Sequence, residues 1–308
     1  MDQALTLRRL ADGVRQHKRQ ARWPVQPGQV HTDVKVLSFT SGKGGVGKTH
    51  IVVNLAYALQ SLGARVMLLD ADLGLANVDV LLGLAPRFTI QHVLEGHKTL
   101  DDVLVTGPAG MLILPACSGV PELAELNDSQ RLQLLTVLET LEHDIDFLLI
   151  DTGAGISANV MYFNVAAQDI VVIVTPEPTS ITDAYALMKV LSTKYDEKHF
   201  KVIMNNVAHA TEAKDSFRRL NLVTERFLNV SIDYLGFIPH DTSFSQAVCQ
   251  QKALLDLYPS SAAAQGFRTL AQRLLATPET VYPKGGIQFF WQRLLARQTP
   301  CAPEQVGS

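Results

Sequence analysis

The chain has 308 residues, 47% hydrophobic and 19% charged, which is enough to bury one large core or two modest ones, and its formal charge of −3 gives no global reason to expect nucleic acid or an acidic substrate. Three cysteines, Cys117, Cys249 and Cys301, lie far apart without C-x-x-C spacing, which argues against a zinc site, an iron–sulfur cluster or a disulfide scaffold and fits a reducing cytosol. No stretch approaches the roughly 18 uninterrupted apolar residues of a membrane span and the amino terminus has no apolar signal core, so export is not expected. The nine histidines show no H-E-x-x-H spacing and are assigned no metal.

In chain order, Asp2 to Arg19 is a basic amphipathic helix candidate with Leu7, Leu10 and Val14 in a stripe, followed by a proline-containing linker over about residues 20–33. From Val34 onward, continuous apolar runs alternate with helical patterns. The runs are Val36 to Phe39, Val66 to Leu69, Met111 to Leu114, Phe147 to Ile150, Ile170 to Val174, Val202 to Met204 and Leu235 to Ile238. Helical spacing marks Lys48 to Leu62, Asp128 to Leu141 and Ser180 to Leu191. This pattern predicts an α/β fold, a mostly parallel twisted sheet with helices on both faces, over residues 34–277. Pro278 to Gly286 detaches a last segment, so residues 1–33, 34–277 and 278–308 are read as three units.

Ser41 to Thr49 reads SGKGGVGKT, in which Gly42 through Thr49 meets the phosphate-loop pattern G-x-x-x-x-G-K-[ST]. Backbone N–H groups of Gly42, Lys43, Gly44, Gly45, Val46 and Gly47 are expected to curl round a polyphosphate. Lys48 reaches its terminal phosphates, and Thr49 offers a hydroxyl to Mg²⁺. Strand, loop and helix follow one another, so the phosphates also meet the positive end of a helix. Gly42, Gly44 and Gly47 imitate a dinucleotide fingerprint, with Asp70 about 20 residues further on. Lys48-Thr49 directly after the last glycine has no place in that fold, whereas a triphosphate with Mg²⁺ requires it. Lys43 is surplus to the loop's own work. A lysine so early in the loop points away from its own nucleotide, so its use is expected on a phosphate held by another subunit, which makes a nucleotide-dependent homodimer the expected state.

Ligands of such a sheet gather at the carboxyl ends of the strands, where Asp70, Asp72, Asp151, Asn205 and the stretch from Pro239 to Asp241 fall. Asp151 ends the buried run FLLID and is expected to support Mg²⁺ through water. Gly153 would then place a backbone N–H against the terminal phosphate, so that this loop senses hydrolysis. Asp72 is the candidate for positioning the attacking water, with a helix cap or turn as its plain alternative; Asp70 is read as supporting the loop. Lys48, Mg²⁺ and a trans Lys43 would supply most of the catalysis by neutralising charge. No guanine-reading [NT]-K-x-D pattern follows the later strands. The Asn205 amide could pair with adenine, so ATP is favoured over GTP, although Asn205 could also be a strand-end turn residue.

With the lysine-bearing loop, LLDADLGLANVD and IDTGAGI in hand, residues Val34 to about Leu275 resemble the MinD/ParA family of deviant phosphate-loop ATPases. DQALTLR, DTGAGI, TPEPTSITDAYALMK and GGIQFFWQRL look most like the flagellar-number regulators of that family. The resemblance implies an ATP-bound dimer that sandwiches two nucleotides, hydrolyses slowly and acts as a switch. It further implies that Lys43 reaches across the dimer, Asp72 supports the attacking water and Asn205 contacts adenine; Pro239 and Asp241 are counted with the nucleotide site for their place after the seventh run. The amino-terminal element, through Asp2, Gln3 and Arg8, would stimulate the signal-recognition-type GTPase FlhF, with the Gln3 amide orienting a water against a γ-phosphate. A solvated helix end is the alternative for Gln3. Some relatives also restrain a flagellar transcription activator. His50, counted with the nucleotide site, departs from the family, which commonly has asparagine, serine or threonine after the loop threonine; a bulky imidazole there alters contacts to the α-phosphate and puts affinity, more than mechanism, in doubt. A division-site or cargo-positioning ATPase, or a chiefly non-catalytic anti-activator, are the alternative functions.

On a carboxyl-terminal helix, Ile287, Phe290, Trp291, Leu294 and Leu295 form one apolar face, with Arg293 and Arg297 elsewhere. Such a helix suits a membrane interface, where anionic lipid adds about 1 kcal/mol per basic residue. Dimerisation would pair two of them and make attachment at the inner face of the cell membrane depend on ATP. Packing of this helix on the core or on a partner is the alternative.

Overall fold

Every one of the seven apolar runs is a strand of a single sheet in the computed structural model, which describes residues 34–72, 77–88, 92–93, 97–115 and 145–277. The helix expected over 128–141, the segment 1–33 and the segment 278–308 lie outside the described residues. Strands β1 (Lys35–Ser41), β2 (Val66–Ala71), β4 (Leu112–Leu114), β5 (Phe147–Ala154), β6 (Asp169–Val174), β7 (His199–Val207) and β8 (Ser231–Pro239) run parallel. A two-residue strand, β3 (Val105–Thr106), adds antiparallel to β4 at one edge. The order is β3-β4-β2-β5-β1-β6-β7-β8. Parallel strands covered on both sides need no polar face, which is why β2 is buried along its whole length and reads as a run without alternation.

Helices α1 (Lys48–Ser61) and α9 (Ala262–Ala276) pack on one face, where Leu55, Leu59, Phe267 and Leu270 meet Leu37, Phe39, Leu68 and Val171. On the other face lie α4 (Ala158–Ala166), α5 (Pro178–Tyr195) and α6 (Ala210–Phe227). Val160, Leu187, Leu191 and Leu220 there meet Ile170, Val172 and Val202. Short helices α2 (Val78–Leu81), α3 (Leu100–Val103), α7 (Ser243–Cys249) and α8 (Leu254–Leu257) line the margins. Proline at the first position of α5 and left-handed Asp196 just beyond its end mark that helix's limits.

β1 sits between β5 and β6, so the chain leaves it first toward β2 and later returns to build the other half of the sheet. Where connections diverge in this way a crevice opens at the strands' carboxyl ends. The register sets Asp151 of β5 opposite Phe39 of β1 and Asp70 of β2. That places the acid between the phosphate-loop strand and a second carboxylate.

Candidate functional site: a phosphate loop with two lysines

The loop leaves β1 at Ser41 and turns into α1 through Gly47, whose φ of 84° is left-handed and natural only to glycine. No side chain caps α1 at this end, so its first N–H groups stay available to an anion. Gly42 is fixed for another reason: a Cβ there would lie 2.1 Å from the carbonyl oxygen of Asp183, because the backbone of α5 rests directly on the loop. The Ser41 hydroxyl donates to the Lys43 carbonyl at 2.9 Å, and the Gly155 N–H donates to the Ser41 carbonyl at 2.8 Å. The end of β5 is thereby tied to the loop's mouth. A further bond, from the Thr152 hydroxyl to the Phe39 carbonyl at 2.9 Å, ties the two strands just below.

Lys48 and Asp151 meet at the floor of the loop, Nζ to Oδ1 at 2.5 Å, with side chains 7% and 1% exposed. Burial pushes the Asp151 carboxyl up, and the neighbouring Lys48 and the Thr49 hydroxyl pull against it without cancelling the rise. Its second oxygen, Oδ2, is buried with no hydrogen-bond partner. An orphaned carboxylate oxygen beside a threonine hydroxyl is a hard-oxygen donor pair that suits Mg²⁺, which prefers one or two protein oxygens, water and phosphate to an all-protein cage. Among the described residues, no group of three His, Cys, Asp or Glu side chains is placed to hold a metal.

Asp70 is 1% exposed, and its carboxyl is pushed up to about 6, first by burial and then by the charge of Asp151. Its Oδ1 accepts from the Asp72 N–H at 3.2 Å, and its Oδ2 accepts from the N–H groups of Asn77 and Val78 at 3.2 and 3.3 Å. The loop-supporting role expected of it is therefore visible. Asp72 stands against the end of β5: a Cβ on Gly153 would come within 3.4 Å of its Oδ1.

Lys43 lies half-exposed at the mouth of the loop. Its Nζ donates to Glu177 Oε2 at 2.8 Å and to Thr179 Oγ1 at 3.2 Å, both at the start of α5, and Lys43 holds the exposed Glu177 carboxyl below the usual range. Both partners fall within TPEPTSITDAYALMK, quoted above for the family resemblance, where neither was given a role. The signal was an acid just past the end of β6, at the strand ends where a surplus cation would need company.

On the other flank, the Asn205 amide donates from Nδ2 to the Val46 carbonyl at 2.7 Å, bracing the loop. Its Oδ1 has no hydrogen bond among the described residues and is left as an acceptor. His50 packs edge-on to Phe244 of α7 at 6.0 Å, and burial lowers its imidazole below the ordinary value, which favours the neutral ring. Pro239 closes β8. Asp241 spends both oxygens on backbone, taking the Ser243 N–H at 2.9 Å and the Ala263 N–H at 3.1 Å; burial pushes its carboxyl up, but these bonds more than offset it and leave it lowered. Asp2, Gln3 and Arg8, like Ile287, Phe290, Trp291, Leu294 and Leu295, lie outside the described residues.

A glycine loop between strand and helix, its lysine and threonine, and an acid from the adjacent strand together define a P-loop NTPase. A sequence model of the ParA family, described as NUBPL iron-transfer P-loop NTPase, matches residues 33–275. Antiactivator FleN of Pseudomonas aeruginosa is 46% identical over 270 residues, covering 88% of this chain and 96% of that protein. Flagellum site-determining protein YlxH of Helicobacter pylori is 34% identical over 267 residues, covering 85% and 90%. Among solved structures, the MinC:MinD cell division complex of Aquifex aeolicus matches with a TM-score of 0.62 and 28% identity over 81% of this chain and 99% of that one. MinD of Pyrococcus horikoshii complexed with Mg-ADP gives 0.62 and 25%, covering 78% and 96%. The chain belongs to the MinD/ParA family of P-loop NTPases, in the branch of FleN and YlxH, also called FlhG.

Proposed function

We propose that the protein is an ATP-dependent dimerising switch that hydrolyses ATP slowly and regulates flagellar number or placement by acting on the GTPase FlhF at the membrane. The observation that carries this reading is the division of labour between two lysines of one loop. Lys48 is committed to the floor, while Lys43 is exposed at the mouth and aimed away from it.

A triphosphate entering the loop competes with Asp151 for Lys48, and the freed carboxylate then faces the metal side. Thr49, and Asp151 through water, would hold Mg²⁺, which would neutralise charge on the phosphates when bound. Asp72 orients the attacking water, and Gly153 follows the terminal phosphate through its place beside Asp72. Because Asn205 donates through Nδ2 to Val46, its Oδ1 is left to accept from the exocyclic amino group of adenine; guanine would present a carbonyl to it instead. Lys43 leaves Glu177 for the partner subunit's triphosphate, and two carboxyl-terminal apolar faces brought together by the dimer attach it to lipid. Support for the flagellar part comes from the relatives' names, Antiactivator FleN and Flagellum site-determining protein YlxH.

Sizing in solution tests the switch. With non-hydrolysable ATP the wild type should run as a dimer, with ADP or no nucleotide as a monomer, and Lys43→Ala as a monomer throughout. A wild type that stays monomeric at high concentration beside anionic vesicles refutes the proposal. Gln3→Ala should abolish stimulation of GTP hydrolysis by FlhF, and Trp291→Glu should abolish co-sedimentation with those vesicles. The name of the relative at 46% identity favours one second reading, a chiefly non-catalytic anti-activator of flagellar transcription. Absence of turnover in the wild type, with lipid and FlhF present, selects it.

A further inference from the structure

Among the described residues Asp72 makes no side-chain hydrogen bond or ion pair, so the hydrogen bond on its backbone N–H is the one that bears on where its carboxylate stands. That backbone is held by Asp70. One oxygen of Asp70 takes the Asp72 N–H; the other takes the N–H groups of Asn77 and Val78, the cap and first residue of α2. Asn77 makes no side-chain cap bond of its own, so Asp70 acts as a remote cap for this helix while gripping the chain at both ends of the 72–77 stretch. Packing alone does not call for a carboxylate here. Asp70 is buried opposite another buried acid, Asp151, an unfavourable place for charge that only donated N–H groups offset.

We infer that Asp70 is the positioning residue of Asp72: by gripping both ends of this stretch it sets the Asp72 carboxylate against Gly153, so that hydrolysis depends on Asp70 although Asp70 touches no reacting atom. This rests on the reading of Asp72 as the residue that orients the attacking water.

Asp70→Asn keeps the shape but leaves one oxygen to serve two sides and turns an NH₂ toward the N–H groups on the other. Misplacement of a catalytic group by about 1 Å costs on the order of 100-fold, so kcat per folded molecule should fall by about 10- to 100-fold. ATP affinity should stay within about twofold, since Asp70 meets no part of the phosphate loop. Two further readouts separate positioning from mere support of the fold. Hydrogen exchange at the amides of Asp72, Asn77 and Val78 should quicken in Asp70→Asn, and in an Asp72→Ala background the Asn substitution should bring no further loss of kcat. Unchanged kcat, an equal loss of kcat and affinity, or losses that simply multiply in the double variant would each overturn the inference. Should Asp70→Asn fail to fold, Asp70→Glu, which keeps the charge and shifts it by one methylene, is expected to show the same kcat loss and serves in its place. If Asp72→Ala turns over like the wild type, it is the reading of Asp72 that fails; hydrogen exchange then still decides whether Asp70 holds the stretch.

Discussion

The floor and the mouth of the phosphate loop each hold a lysine against a carboxylate, at 2.5 Å for Lys48 with Asp151 and 2.8 Å for Lys43 with Glu177, yet the two pairs are physically unlike. At the floor both side chains are shut off from solvent, and removing either partner strands a charge in a low dielectric. At the mouth the side chains are 40% and 60% exposed, where water and salt screen the attraction and such a pair contributes little. The same chemistry thus serves as a fixture in one place and as a loose resting contact in the other. A cation meant to leave for a different phosphate has to be held weakly.

The contrast is most severely tested at the floor. Lys48→Met should destabilise the protein by about 3–5 kcal/mol in urea unfolding, and adding Asp151→Asn should recover a large part of that. A midpoint that does not move would mean the floor is no fixture. Next in size is the pH response of Asp70. Its carboxyl titrates at about 6 in the folded chain and at 3.8 unfolded, so between those values the native state keeps a proton that the unfolded chain has lost. Its contribution to stability is therefore present below about pH 4 and is lost as pH rises through 6. At about 1.4 kcal/mol per pKa unit, the stability of wild type minus that of Asp70→Asn should decline by on the order of 2–3 kcal/mol across this window, as paired unfolding curves without Mg²⁺ would show. A flat difference would mean that Asp70 is not shielded as the floor is.

Gly42→Ala probes the wall between floor and mouth. Its methyl group would strike the backbone of α5, which has no side chain to move aside, and a loss of about 1–3 kcal/mol or more is expected in thermal or urea unfolding. Smallest of all, Lys43→Ala should change stability by less than about 1 kcal/mol, measured in the same way, although nucleotide-dependent sizing changes completely. A large loss of stability there would erase the distinction between the two pairs.

Much of this arrangement was legible before any coordinates. Parallel strands buried on both faces leave uninterrupted apolar runs, and Lys48-Thr49 after three spaced glycines admits few chemistries, so β1, β2, β4 to β8 and the phosphate loop could be read directly. Asp70 could be read as a loop support because a short acid at a strand end commonly accepts nearby backbone N–H groups. β3 left no trace, since two residues show no period. Contacts between distant positions were equally silent. Gly42 under Asp183, Asn205 on Val46 and Lys43 on Glu177 join residues more than 130 apart, and no local pattern records which backbone will lie against which.

The placement of β1 in the middle of the sheet has a consequence for how the chain is made. Its neighbours, β5 and β6, begin at Phe147 and Asp169, more than 100 residues downstream of Lys35. During synthesis, the strand bearing the phosphate loop must wait unpaired while half the protein is still unbuilt, a delay that long-range pairing always imposes on folding rate. Capture of a nucleotide by a nascent chain would accordingly mark the moment at which the central strands have closed.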